Sequence, residues 1–189
     1  AYHDLLDPVS PLLKSSSVEA FSGTLRVHDD DISLQRLDII SVKSLPHYSS
    51  LFPRKSKNLN VALTRSDMTN NKLGLDITWG RGLSSHTSAG NIFYGLMNFE
   101  FVYSPELSNS NAIGYSTELG FNGKLSKNTR LLINVNRKWY ENENYTTTTF
   151  YTGVNFFFDK RTTITAEFFN DDNTISSETT AALRLNYFF

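Results

Sequence analysis

Residues 113–122 read Ile113-Gly114-Tyr115-Ser116-Thr117-Glu118-Leu119-Gly120-Phe121-Asn122. Ile113, Tyr115, Leu119 and Phe121 alternate with Gly114, Ser116, Glu118, Gly120 and Asn122. Side chains of a β-strand point to opposite faces in turn, so this order builds one apolar face and one small or polar face.

The same period extends in both directions. Toward the C-terminus, Leu131, Ile133 and Val135 alternate with Asn134 and Asn136, and Phe150, Val154, Phe156 and Phe158 with Tyr151, Gly153 and Asn155. Ile164, Ala166 and Phe168 then stand against Thr163, Thr165 and Glu167, and Leu183, Leu185, Tyr187 and Phe189 against Arg184 and Asn186. Toward the N-terminus, Met97, Phe99, Phe101 and Tyr103 oppose Asn98 and Glu100, while Leu73, Leu75, Ile77 and Trp79 oppose Gly74, Asp76 and Thr78. Leu59, Val61 and Leu63 form a further run, and two weaker ones cover residues 18–28 and 32–42. The last slips phase near Arg36 and Leu37, as a bulge would. The count is about ten strands, and no segment shows a sustained helical repeat.

Composition narrows the class. The 189 residues carry 18 basic and 19 acidic side chains, 14 Phe, 9 Tyr, 2 Trp and no Cys. The length fits one domain. A net charge of −1 without basic clusters argues against a nucleic-acid partner. Lack of Cys removes disulfides, Cys-ligated zinc, iron–sulfur centres and thiol nucleophiles. No run approaches the length of apolar sequence a membrane-spanning helix needs, and Ala1-Tyr2-His3-Asp4 lacks a signal-peptide layout. The chain is expected to begin in a mature protein or inside a longer one.

A soluble sandwich would place Lys and Glu on its polar face. Here that face is rich in Gly, Asn, Thr and Ser, which suits a narrow barrel interior, while the apolar face suits lipid. Trp79, Tyr103, Trp139, Tyr140, Tyr145, Tyr187 and Phe189 are expected near strand ends as membrane-interface aromatics. The terminal Phe189 resembles the signal read by the outer-membrane assembly machinery. In hydrocarbon every backbone polar group must pair within the protein, so a sheet spans only by closing. The expected fold is therefore all-β: an antiparallel transmembrane β-barrel over residues 18–189, with residues 1–17 as a periplasmic lead-in. Its site would be the bacterial outer membrane, and its partners outer-membrane lipids and the assembly machinery. Tight turns at Asp159-Lys160 and Leu125–Asn128 are expected on the periplasmic side. Looser links at Ser104–Asn111, Glu141–Tyr145 and Asn170–Thr174 are expected outside.

Three segments carry a resemblance: Ala1-Tyr2-His3-Asp4-Leu5-Leu6-Asp7, then Leu34 to Pro46, then Leu51-Phe52-Pro53-Arg54-Lys55-Ser56. Together they are similar to the C-terminal region of the Lnb-like family of Gram-negative envelope proteins. Lys57 departs from that family, whose members usually carry Trp there. The resemblance implies an upstream papain-like or NlpC-like periplasmic domain with Cys and His chemistry. It also implies a complete barrel of about twelve strands, of which this chain is a fragment without the nucleophile.

The candidate site is the polar face. Asp76, Glu100, Glu118 and Glu167 are expected to face the lumen with Lys138 and Arg184. Charges in so narrow a space either pair or form an ion path, and pairing is the expectation. His3 reads as structural, and His28 with Asp29, Asp30 and Asp31 as a solvated loop. Gly80-Arg81-Gly82 and Gly90 read as relief for a bend or a strand crossing at the periplasmic rim, since no helix or Gly-Lys-Ser follows to make a phosphate loop. No cofactor and no metal site is read. The long stretch Leu45 to Lys57 is expected to dock the upstream domain. The function expected is a non-catalytic barrel anchoring or assisting that domain. The alternatives are a lipid-modifying enzyme of the outer membrane and a small channel or transporter.

Overall fold

The structure is a computed structural model that describes residues 2–3, 16–28, 31–49, 53–141, 143–158 and 162–187. The side chains of residues 2, 3, 17, 19, 22, 24–28, 31–33, 67 and 184–187 lie outside that description.

One antiparallel sheet contains every described strand in chain order. A two-residue stub, β1 (Tyr2–His3), pairs with the start of β2 (Ser16–His28). β3 (Asp31–Ser44), β4 (Ser56–Arg65), β5 (Leu73–His86), β6 (Ile92–Tyr103) and β7 (Asn111–Lys124) follow. β8 (Thr129–Tyr140), β9 (Tyr145–Phe157), β10 (Thr162–Asn173) and β11 (Ser177–Tyr187) complete the order. The only helical piece among the described residues is a 3-10 turn, Asp67–Thr69. No described helix is long and apolar enough to cross a membrane. The ten long strands are those expected from the alternation.

The sheet is curled into a half-barrel. Among the described residues β1 and β11 are its edges, so the closed ring expected from the sequence is not what the ladder shows. Ladder pairs show where the phase slip falls. Gln35 has no partner on β2, and Ile39 none on β4, so β3 bulges on both sides of Arg36 and Leu37.

Curling gives the inner face less area than the outer, and small inward residues allow it. A Cβ on Gly82 would lie 1.8 Å from the Gly95 carbonyl oxygen, and one on Gly114 would lie 2.1 Å from that of Trp139. Gly80 and Gly82 thus stand inside β5, packed on β6, and not at a rim as the sequence suggested. Gly90, at φ 83°, is the one that turns the β5–β6 link.

Hairpin lengths differ from expectation. Leu125–Asn128 is a tight link, but Asn170–Asn173 extend β10 and leave Thr174–Ser176 as a short turn. Asn111 and Tyr145 likewise start strands. Asp159-Lys160 falls outside the described residues, where the Phe158 N–H donates to the Thr162 carbonyl at 3.0 Å beside it. A division into short links at one end and long links at the other is therefore weak. Among the links from β2 onward the 45–55 connection is the longest, and it lies at the end expected to hold short turns.

Candidate functional site

Inward positions along β6 run Ile92, Tyr94, Leu96, Asn98, Glu100 and Val102, and this order describes the whole concave face. Ile92 and Leu96 pack on Leu45 at one end of the trough. Val102 packs with Leu107, Ala112, Tyr140 and Tyr145 at the other. Between these apolar clusters lies a polar middle around a cavity of about 620 Å³.

Three charge clusters hold that middle. In the first, Glu100 is fully buried. It accepts hydrogen bonds from Thr78 Oγ1 at 2.6 Å, from Lys138 Nζ at 3.3 Å and from Ser116 Oγ. Lys138 also lies 3.8 Å from Asp76. Asn98 joins the cluster to β4 and β7, donating to Ser116 Oγ at 2.9 Å and accepting from Asn58 Nδ2 at 3.2 Å. In the second cluster, Glu118 accepts from Lys43 Nζ at 2.6 Å, from the Tyr94 hydroxyl at 3.0 Å and from Asn134 Nδ2. A third group, on β3 and β4, ties Arg36 to Asp38 at 2.6 Å and both to Asn60. Charges withdrawn from water are stable only when paired and hydrogen-bonded, and these are.

The structure thus brings Asp76, Glu100, Glu118 and Lys138 together on the concave face. Glu167 lies there too, buried and reached by the Tyr151 hydroxyl at 3.5 Å. The Arg184 backbone pairs with Thr165, an inward residue, and its side chain lies outside the described residues. Sequence reading missed Lys43, Tyr94 and Asn134, since each meets Glu118 from a position 16 to 75 residues away in the chain. The signal available was parity: each stands at an inward position of its own run.

The aromatics divide. Trp79, Tyr103 and Trp139 face outward, and Tyr103 is half-exposed at the end of β6. Tyr140 and Tyr145 are corrections: both are buried on the inner face, with ring centroids 6.2 Å apart. Trp139 and Tyr140 are consecutive on a strand, so one had to turn inward. Trp79 stands mid-strand because β5 runs on through the glycines. The Tyr187 side chain and Phe189 lie outside the described residues, as do the side chains of His3 and His28 and residues Asp29 and Asp30.

The family model described as "Domain of unknown function (DUF7840)" matches residues 1–188. The chain belongs to the DUF7840 family. No curated protein and no solved structure matches it.

In this DUF7840 chain the 45–49 segment folds back on β5. The Tyr48 N–H donates to the Ser84 carbonyl at 2.9 Å, and Ser84 Oγ to the Pro46 carbonyl at 2.6 Å. His86 Nε2 lies 2.7 Å from the Leu45 carbonyl oxygen, and the His86 N–H donates to His47 Nδ1 at 3.1 Å. Burial holds the His86 imidazole below its usual range. Its bond to Leu45 opposes that shift, and His47 adds to it. At the other end Lys72 and Glu106 join two hairpin loops at 2.6 Å, and this bond holds the exposed Glu106 carboxyl below its usual range. Among the described residues no group of His, Asp and Glu is arranged to hold a metal ion.

Proposed function

We propose that the half-barrel is the wall of a bacterial outer-membrane β-barrel that is not itself catalytic and anchors or assists a periplasmic domain of the same polypeptide. One observation carries the membrane part. The convex face of β5–β9 exposes Trp79, Leu83, Phe93, Met97, Tyr103, Ile113, Tyr115, Leu119, Phe150, Val154 and Phe156, while the concave face buries its charges. A soluble protein rarely exposes so continuous an apolar surface, and inside-out polarity of this kind is what a lipid-facing barrel requires. The apolar clusters at both ends of the trough favour a closed interior over a pore.

The anchor role rests on the resemblance of residues 1–56 to the C-terminal region of the Lnb-like envelope proteins. It supplies the upstream domain, and its further strands would complete the ring. Outer-membrane lipids and the barrel assembly machinery are the partners this reading requires.

Folding the chain in detergent and comparing gel mobility before and after boiling tests the membrane reading. A heat-dependent shift is expected. Folding without detergent and a mobility insensitive to heat would overturn it. Planar-bilayer recording tests the closed interior, and steady single-channel steps would show that the trough conducts.

A further inference from the structure

The outward positions of β5–β9 hold only two charged side chains, and both are arginines. Arg81 on β5 lies with its guanidinium 5.3 Å from the Trp79 ring centre, and Arg137 on β8 lies at the same distance from Trp139. The ladders put them in one row, Arg81, Met97, Thr117 and Arg137, and put Trp79, Phe99, Tyr115 and Trp139 in the next. Three strand spacings separate the arginines, about 14 Å. Leu83, Leu119 and Val135 lie on the other side of the arginine row, so each cation is set within an apolar surface. Lys57 stands beside Arg81 on β4. Among the described residues neither arginine has a carboxylate partner.

We propose that Arg81 and Arg137, each stacked on its tryptophan, form two matching outward-facing sites, each binding the phosphate headgroup of its own anionic bilayer lipid, with the lipid chains lying along the row of Leu83, Leu119 and Val135. The proposal rests on the membrane reading above. A guanidinium on a lipid-facing strand is destabilising unless it meets an anion or the interface. The planar guanidinium takes phosphate oxygens in pairs while its face rests on an aromatic ring. The tryptophan face supports the cation from one side and leaves the donor edge open. With no acid on these outward strand positions, the charge complementarity points to a negative headgroup.

Trp79 and Trp139 are the only tryptophans of the chain, so intrinsic fluorescence reports on both sites. The chain is folded into phosphatidylcholine vesicles containing a small fraction of brominated lipid, either phosphatidylglycerol or phosphatidylcholine. Brominated phosphatidylglycerol is expected to quench with about five-fold or greater preference, a size set by the attraction of one cation to an anionic lipid. The preference should fall to about unity in R81Q/R137Q and weaken at about 1 M salt, where charges are screened within a few ångströms. Equal quenching by the two lipids, or a preference that survives in a folded double variant, overturns the sites and leaves the membrane reading standing. Quenching by neither lipid overturns the membrane reading itself. Heat-dependent gel mobility establishes that each variant is folded. If the double variant does not fold, the preference of the unsubstituted chain and its salt sensitivity decide.

Discussion

The Lys43 ammonium on β3 meets the Glu118 carboxylate on β7 at 2.6 Å. In a flat sheet four strand spacings would hold the two residues about 19 Å apart. The pair therefore exists only because the sheet curls, and it joins strands that share no ladder. Lys43→Met leaves Glu118 with neutral donors, and Glu118→Gln leaves Lys43 without its counter-charge. Each single change is expected to cost about 3–5 kcal/mol, as breaking one side of a buried pair does. The double variant should recover part of that, with a coupling of about 1–3 kcal/mol. Urea midpoints of the four folded proteins measure it, and additive effects would mean that the pair does not bind the curl.

Gly82→Ala and Gly90→Ala separate two reasons for glycine. At Gly82 an added Cβ meets the Gly95 and Leu96 backbone at 1.8 and 2.8 Å, which no side-chain movement relieves. The β5–β6 ladder must open, and a loss of about 3 kcal/mol or failure to fold is expected. At Gly90 nothing lies within 4 Å and only the positive φ resists, so about 1 kcal/mol is expected. Parallel unfolding curves check the order. Equal losses would remove the close-packing account of the curl.

The two faces of the sheet were legible because a strand's period of two needs no partner to be read. Inward placement of Asp76, Glu100, Glu118 and Lys138 followed from it directly. Which charge meets which did not, since Lys43 reaches Glu118 across 75 residues through a curvature that no local pattern encodes. Tyr140 departs from the expected outward place because nearness to a strand end does not set facing, whereas its parity beside Trp139 on β8 turns it inward. A bend or strand crossing at the rim is what Gly80 and Gly82 suggest in isolation, since glycine weakens a lone strand, whereas here a neighbouring backbone requires the glycine. The docking of Leu45 to Tyr48 onto β5 has no local signal either, since one of its bonds is backbone to backbone and the others join Ser84, His86 and His47 to partners 38 to 41 positions away in the chain.

The His86 imidazole, held below 6.5 by burial, makes stability depend on pH. The unfolded chain takes up a proton as pH falls through about 6.5, before the folded one does, so stability is present above that value and declines below it. His86→Gln keeps a donor for the Leu45 carbonyl and removes the titration. The urea midpoint of the unsubstituted chain should fall between pH 7.5 and 5.5 by more than that of H86Q. Equal shifts would show that other groups set the acid limb.

Leu119→Arg decides what the convex face touches. Leu119 lies mid-strand on β7, 66% exposed, beside Gly95 and Val135. In water an exposed leucine replaced by arginine changes stability within about 0.5 kcal/mol. In a bilayer a cation at mid-depth on a barrel strand costs about 2–4 kcal/mol, falling to about 0–1 near the interface. Ser85→Arg, an outward position next to the end of β5, supplies the interfacial control. Unfolding of both variants from vesicles should give a large loss at 119 and a small one at 85. The proposed chain-packing row runs through Leu119, but its loss should be the same in zwitterionic and anionic vesicles, because depth and not headgroup charge sets it. Equal, near-zero effects at the two positions would place the convex face in water and remove the barrel reading.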